Sequence, residues 1–207
     1  RYMRVPDSFP IMGDCGAFDY RKEDEPPYET EQMIDYYTRL GYDYGVSIDH
    51  LISSSSQEDR QYRHELTIHN AEKFIRQHRS KGLEWTPIGA VQGWDPKSYA
   101  EAAGEVADMG YDYIAIGGLV RTSTAEIKRV TQKVSEAIPD SVAIHLFGCA
   151  RLNAVRELAD MGVISIDSAS ALRRAWTGSK ANYWTISGLK YAAIRVPESG
   201  TSFRAKR

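Results

Sequence analysis

The 207-residue chain has two cysteines, Cys15 and Cys149. That is too few for a disulfide framework or for a paired-cysteine metal knuckle. Long apolar runs are also missing. The longest stretch free of polar side chains, Ile114 to Val120, falls far short of the roughly 20 residues that a membrane helix needs. No apolar h-region opens the chain, so no signal peptide is read there, and a reducing, cytoplasmic setting is expected. Charge of one sign is not in excess: 26 Lys and Arg stand against 28 Asp and Glu, a formal net charge of −2. This excludes a module that grips nucleic acid by bulk positive charge and leaves room for a local basic groove. An initiator Met is absent from position one, and the chain closes on Arg204-Ala205-Lys206-Arg207. Those ends are expected of a piece of a longer protein. What remains is 42% hydrophobic and 26% charged, the make-up of an ordinary globular chain with one domain or little more.

Three segments repeat one pattern, a helix end, a glycine and a short apolar strand: Leu40-Gly41 to Asp49, Met109-Gly110 to Gly118, and Met161-Gly162 to Asp167. Glycine suits the left-handed residue that ends a helix. Further strands are expected at Pro10–Gly13, Thr86–Val91 and Val142–Phe147. Helical spacing covers Glu29 to Leu40 and Gln57 to Lys81. Asp95-Pro96 places an N-cap before a proline at the first helical position, and Ser123-Thr124-Ala125-Glu126 reads as a capping box whose helix stops at Pro139. Alternating apolar strands and helices predict an α/β protein with a parallel sheet, either doubly wound or most of a (β/α)8 barrel. From Asn182 to Val196 the period changes to two about a Ser187-Gly188 turn. The expected organisation is therefore a partial barrel over 1–181 and a β appendage over 182–207.

In both architectures ligands bind at the carboxyl ends of the strands. Those ends carry Asp14, Asp49-His50, Gln92-Gly93-Trp94, Gly117-Gly118, Phe147-Gly148 and Asp167-Ser168, with Phe18 close by. Carboxylates accept from N–H groups, glutamine both donates and accepts, glycine admits a close backbone approach, and aromatic faces stack on a heterocycle. A purine base would satisfy the set, and a remaining carboxylate could attack an anomeric carbon. Each aspartate alone could equally cap a helix or close a turn. His50 is the histidine best placed to act, while His64, His69, His78 and His145 lack metal spacing and read as structural or surface residues. Arg121, Arg151, Arg173 and Arg174 follow strand ends and are either phosphate contacts or solvated helix starts.

Taken in order, these motifs resemble the tRNA-guanine transglycosylase family. Asp14-Cys15-Gly16-Ala17-Phe18 is similar to its Asp-Ser-Gly-Gly-aromatic motif, Ile48-Asp49-His50 to its Asp-Glu-Cys strand end, and Val91-Gln92-Gly93 to its Val-Gln-Gly-Gly. Gly117-Gly118-Leu119 matches its Gly-Gly-Leu, Phe147-Gly148 stands in its Met-Gly-Val-Gly position, and Asp167-Ser168 in that of its nucleophile. The resemblance implies a (β/α)8 TIM-barrel type, incomplete in this chain, that exchanges guanine for a 7-deazaguanine. It implies Asp167 as the nucleophile and Asp14 as the proton-handling partner. Asp49, Gln92, Gly117 and Gly118 would read the base, Phe18 and Phe147 would sandwich it, and Arg173 and Arg174 would touch the nucleic acid. Several residues depart from the family pattern: Cys15 for Ser, Ala17 for Gly, His50-Leu51 for Glu-Cys, Trp94 for a second Gly, and Ser168 to Arg174 for Met-Pro-Thr-Arg-Asn. They resemble the divergent branch that modifies DNA, so DNA is the favoured polymer over tRNA. The alternatives are a tRNA-acting enzyme, a non-catalytic nucleic-acid-binding subunit of the same family, or an unrelated barrel glycosidase. A homodimer or an accessory protein is a further expectation. No cofactor is expected within this chain. The zinc site implied by the family, C-x-C-x-x-C with a histidine, would lie beyond Arg207, since no cysteine follows Cys149.

Overall fold

The structure, a computed structural model, describes residues 6, 8–52, 56–177, 182–185 and 187–192. Two compact units divide the chain, Arg1–Asp167 and Ser168–Arg207.

The first unit alternates β1 (Met12–Gly13), α1 (Thr30–Leu40), β2 (Tyr44–Val46), α2 (Gln57–Ser80), β3 (Thr86–Val91), α3 (Pro96–Asp108), β4 (Tyr113–Ile116), α4 (Thr124–Ala137), β5 (Ala143–Leu146), α5 (Val155–Asp160) and β6 (Val163–Ile166). All six strands pair in parallel, and their spatial order is their chain order. A doubly wound sheet reverses its order at a switch point, whereas a barrel does not. The unit is thus a partial (β/α) barrel, a half-barrel of six parallel strands with helices between them.

Local chemistry explains the boundaries. Gly41, Gly110 and Gly162 take φ of 67°, 92° and 89° where the repeated pattern predicts left-handed residues. Asp95 accepts from Ser98 N–H at 2.8 Å while Ser98 Oγ accepts from Asp95 N–H at 3.1 Å, which starts α3. The box expected at Ser123 is only half formed. Ser123 Oγ accepts from Glu126 N–H at 3.2 Å, but the Glu126 carboxylate turns to Arg129. β1 is shorter than expected: only Met12 and Gly13 pair with β2. A 3-10 turn (Leu152–Ala154) and α5 fill the segment before β6, where the sequence predicts a helix end at Met161-Gly162 but no start.

Side-chain alternation gives the sheet two apolar faces. Ile114, Ile116, Ile144 and Leu146 pack under the helices with Val106, Ile127, Val130 and Val134. Val46, Ile88, Ala90, Tyr113 and Ala115 cluster on the other face with Met12, Tyr44 and Phe147. At the start of the sheet the helix layer approaches closely. A Cβ on either Gly13 or Gly45 would lie 2.6 Å from the Tyr37 ring, so that ring covers both strands only because they carry glycine there. Burial of rings such as Tyr37 and Phe74, both fully enclosed, contributes about 1.5–3 kcal/mol each.

The second unit contains α6 (Ser170–Thr177) and an antiparallel pair, β7 (Tyr183–Trp184) and β8 (Lys190–Tyr191). The hairpin expected around Ser187-Gly188 is present between those strands, with Gly188 at φ 83°. Residues 186 and 193–207 of the expected appendage lie outside the described residues. No helix among the described residues is long and apolar enough to cross a membrane.

Candidate active site

The parallel sheet places the residues that follow β1, β2, β3, β4 and β6 at one rim. Three of them form a buried floor. Asp49 is 4% exposed. Its Oδ2 accepts from Gln92 Nε2 at 2.5 Å, and its Oδ1 accepts from the Cys15 thiol at 3.1 Å. Tyr20 completes the knot, its hydroxyl donating to Asp49 O at 2.8 Å and lying 3.1 Å from Cys15 Sγ. Burial pushes the Asp49 carboxyl up to about 6, against the lowering effect of the Cys15 and Gln92 hydrogen bonds. Burial likewise pushes the Cys15 thiol well up, with Asp49 and Asp14 adding to it. Such a thiol is a wall of the site rather than a nucleophile.

Gln92 Oε1 is buried without a hydrogen-bond partner. An orphaned acceptor in a buried pocket is costly unless a ligand meets it. It faces the Gly117-Gly118 turn. A Cβ on Gly118 would come 3.0 Å from Gln92 Oε1 and 2.8 Å from the Tyr99 hydroxyl, and its φ of +78° suits glycine. Gly117 is already engaged, its N–H donating to Val91 O at 3.0 Å and its carbonyl accepting from the Tyr99 hydroxyl at 2.9 Å. Its carbonyl keeps one lone pair for a ligand, whereas its N–H is committed.

Asp14 and Asp167 stand at the rim. The Asp167 side chain is 56% exposed. Its Oδ1 accepts from Gly148 N–H at 2.6 Å and lies 3.5 Å from His145 Nε2. Burial raises the Asp167 carboxyl, but the His145 and Gly148 contacts outweigh it and hold the group below the usual carboxylate value. Asp14 shifts the other way. Burial raises it first, the amides of Gly16 and Cys15 oppose, and the Asp167 charge raises it further. The Asp167 charge raises Asp14 while His145 and Gly148 lower Asp167, so the two carboxyls shift in acidity in opposite directions.

The aromatic pair is placed less symmetrically. Phe147 is half-buried, its ring meeting His145 edge-on at 4.6 Å. Phe18 is 51% exposed, with the Arg21 guanidinium over its ring at 4.1 Å. The arginines differ too. Arg151 donates to Thr122 O at 3.0 Å, which ties one strand-end loop to the next. Arg173 and Arg174 lie on α6 in the second unit, where Arg174 stacks over Trp184 at 3.9 Å.

His50 has a different place from the one its neighbour suggests. It is fully buried, with Arg63 Nη1 2.6 Å from Nδ1 and Glu23 O 2.9 Å from Nε2. Burial and the Arg63 charge lower its pKa, so it is a neutral tie between α2 and the β1–α1 loop. The histidine that reaches the site is His145, together with Tyr20 and Tyr99, none of them expected there from sequence. The available signal was the period of two: His145 shares a face with Phe147, and Ser165 with Asp167. The zinc implied by the family resemblance does not fit the residues present. Among the described residues no group of three or more His, Cys, Asp or Glu could hold a metal ion, and both cysteines are buried singly.

The chain is 34% identical to a DNA-guanine transglycosylase of Salmonella montevideo over 207 residues, covering 95% of this chain and 49% of that protein. It is 25% identical to a tRNA-guanine(15) transglycosylase of Methanococcus aeolicus over 185 residues, covering 86% of this chain and 28% of the relative. A tRNA-guanine(15) transglycosylase of Methanocaldococcus jannaschii is 25% identical over 150 residues, covering 67% of the chain and 22% of the relative. The chain thus spans about half the length of the Salmonella relative and less of the archaeal ones. Residues 17–192 match the queuine tRNA-ribosyltransferase family, and the chain belongs to it.

Proposed function

We propose that this chain carries the nucleoside-handling part of a base-exchange transglycosylase, which removes guanine from a nucleic acid and installs a 7-deazaguanine. The observation that carries the reading is the carboxyl pair on one rim: Asp167 accepts from Gly148 N–H at 2.6 Å with His145 Nε2 at 3.5 Å, contacts that lower it, while burial and the Asp167 charge raise Asp14. In the first half-reaction an Asp167 oxygen forms a bond to C1′ as the C1′–N9 bond breaks. The bonding pair leaves with guanine, and Asp14 supplies the proton the departing base needs. In the second, the incoming base gives its proton to Asp14 and its ring nitrogen attacks C1′. The C1′–O bond then breaks and Asp167 is restored as a carboxylate. The Asp49–Gln92 floor, with the orphaned Gln92 Oε1 and the Gly118 backbone, would read the hydrogen-bonding edge of the base, and Phe147 and Phe18 would flank its faces. Donors fixed in advance meet the charge that develops on the leaving base. The target nucleotide must leave its stack to reach this floor.

DNA is the polymer we favour. The similarity to the DNA-guanine transglycosylase covers nearly the whole chain at 34% identity, whereas the tRNA enzymes match at 25%. Arg173 and Arg174, on the segment that departs from the tRNA enzymes, would contact phosphates. The test offers labelled guanine or a labelled 7-deazaguanine to full-length protein with DNA and with tRNA separately, using Asp167→Ala as control. Label in DNA alone, lost in the variant, is the expected result. Label in tRNA alone would overturn the polymer. Label in neither, with nucleic acid still bound, would point to a non-catalytic subunit.

A further inference from the structure

A β-bulge lies beside the proposed nucleophile. Ile144 pairs with Val163, but the next residue, His145, pairs with Ser165, so Ile164 is the extra residue on β6 and is 68% exposed. Bulges re-aim side chains where they occur. This one sets Ser165 opposite His145 and carries Asp167 on the same face. A hydrogen-bonded chain results: Tyr113 hydroxyl to Ser165 Oγ at 2.5 Å, and Ser165 Oγ to His145 Nδ1 at 2.5 Å. When Tyr113 donates to Ser165 and Ser165 donates to Nδ1, the imidazole proton sits on Nε2. That nitrogen is buried, has no hydrogen-bond partner, and faces Asp167 Oδ1 at 3.5 Å. A small closure would complete the bond. The Phe147 ring against the imidazole limits rotation away.

We propose that His145 is a positioning residue for Asp167: together with Gly148 N–H it holds Oδ1, which leaves Oδ2 as the oxygen that attacks C1′. This rests on the transglycosylase reading and adds an atom-level assignment to it. Two donors on one carboxylate oxygen fix the plane of the group and the direction of the free lone pairs. Charged and titratable groups also face this pair. Asp14 is one of them, its carboxyl raised by burial and the Asp167 charge and lowered by His145. The Cys149 thiol, pushed up to about 11 by burial, and Arg151 beside it lie on the Asp167 side, and Tyr113 lies beyond Ser165.

The test compares His145→Phe, His145→Gln and Ser165→Ala in the full-length protein. Glutamine returns a donor near the position of Nε2, phenylalanine does not, and Ser165→Ala releases the tautomer without touching the site. The first readout is the Asp167 carboxyl titration by carbon NMR, which needs no substrate. It should move upward in His145→Phe, move less in Ser165→Ala, and return toward wild type in His145→Gln. The second is base exchange. Its turnover should fall about tenfold to a hundredfold in His145→Phe with KM for the free base unchanged, and recover most of the loss in His145→Gln. An Asp167 titration unmoved in His145→Phe overturns the proposal whatever the activity. Equal turnover loss in the Phe and Gln variants also overturns it. If His145→Phe does not fold, the Ser165→Ala titration decides, and no shift there counts against the assignment. Absence of exchange in wild type would sink the transglycosylase reading alone, because the titration still reports the His145–Asp167 contact.

Discussion

Replacing Asp49 by asparagine should stabilise this protein at neutral pH while damaging its site. Asp49 is enclosed, and burial raises its carboxyl from the ordinary 3.8 to about 6. Its folded-state pKa lies above its unfolded one. The stabilising contribution is therefore complete below about pH 3.8 and is lost as pH rises through about 6. The difference, 6 − 3.8 = 2.2, corresponds to about 3 kcal/mol at 1.36 kcal/mol per unit. The variant removes that penalty if its amide is accommodated. The Cys15 thiol can still donate to the oxygen, and rotation of the Gln92 amide turns its orphaned Oε1 toward the new N–H donor. The expected gain at pH 8 is about 1–3 kcal/mol, or a few degrees in Tm for a chain of this size. It should fade toward zero near pH 4. Urea unfolding of the variant and wild type at both pH values measures this directly. Equal destabilisation of the variant at both pH values would refute the reasoning. Base exchange should drop together with the gain in stability, because a charged, desolvated carboxylate is retained for function rather than for folding.

Two further outcomes follow from other parts of the unit. Gly118→Ala forces a side chain into a φ of +78° and against Gln92 and Tyr99. It should cost about 1–3 kcal/mol in urea unfolding and weaken binding of the free base in calorimetry, and unchanged base affinity would exclude Gly118 from the floor. Arg63→Met removes the guanidinium that holds His50, Asp59 and the carbonyl of Arg21. It should cost about 2–4 kcal/mol in urea unfolding, and a loss below about 0.5 kcal/mol would show that His50 has another support.

Much of the fold was legible because its boundaries are written in local chemistry. Asp95-Pro96 starts α3, Thr86–Val91 reads as a strand and is one, and glycines at 41, 110 and 162 end helices. α5 was not legible. It is six residues long, follows a 3-10 turn, and leaves Leu152 and Val155 exposed, so it shows no apolar stripe. α6 was hidden in the Ser-Ala-rich segment after Asp167. At the site, the strand-end rule located Asp14, Asp49, Gln92, Gly118 and Asp167, because parallel topology forces those positions to one rim. It did not single out His145, which the period of two puts on one face with Phe147 but whose pairing with Ser165 is set by a bulge. It also misjudged His50, whose fate is decided by Arg63, a residue on another element.

The central claim is that Asp167 forms the bond to C1′, and the most direct measurement is the intermediate itself. Full-length protein would be incubated with a guanine-containing DNA oligonucleotide and no incoming base, then denatured, digested and read by mass spectrometry. The account predicts an abasic nucleotide attached to the peptide that carries Asp167, absent in Asp167→Ala and discharged when free base is added before denaturation. An adduct on a different residue, or undiminished base exchange in Asp167→Ala, would contradict it.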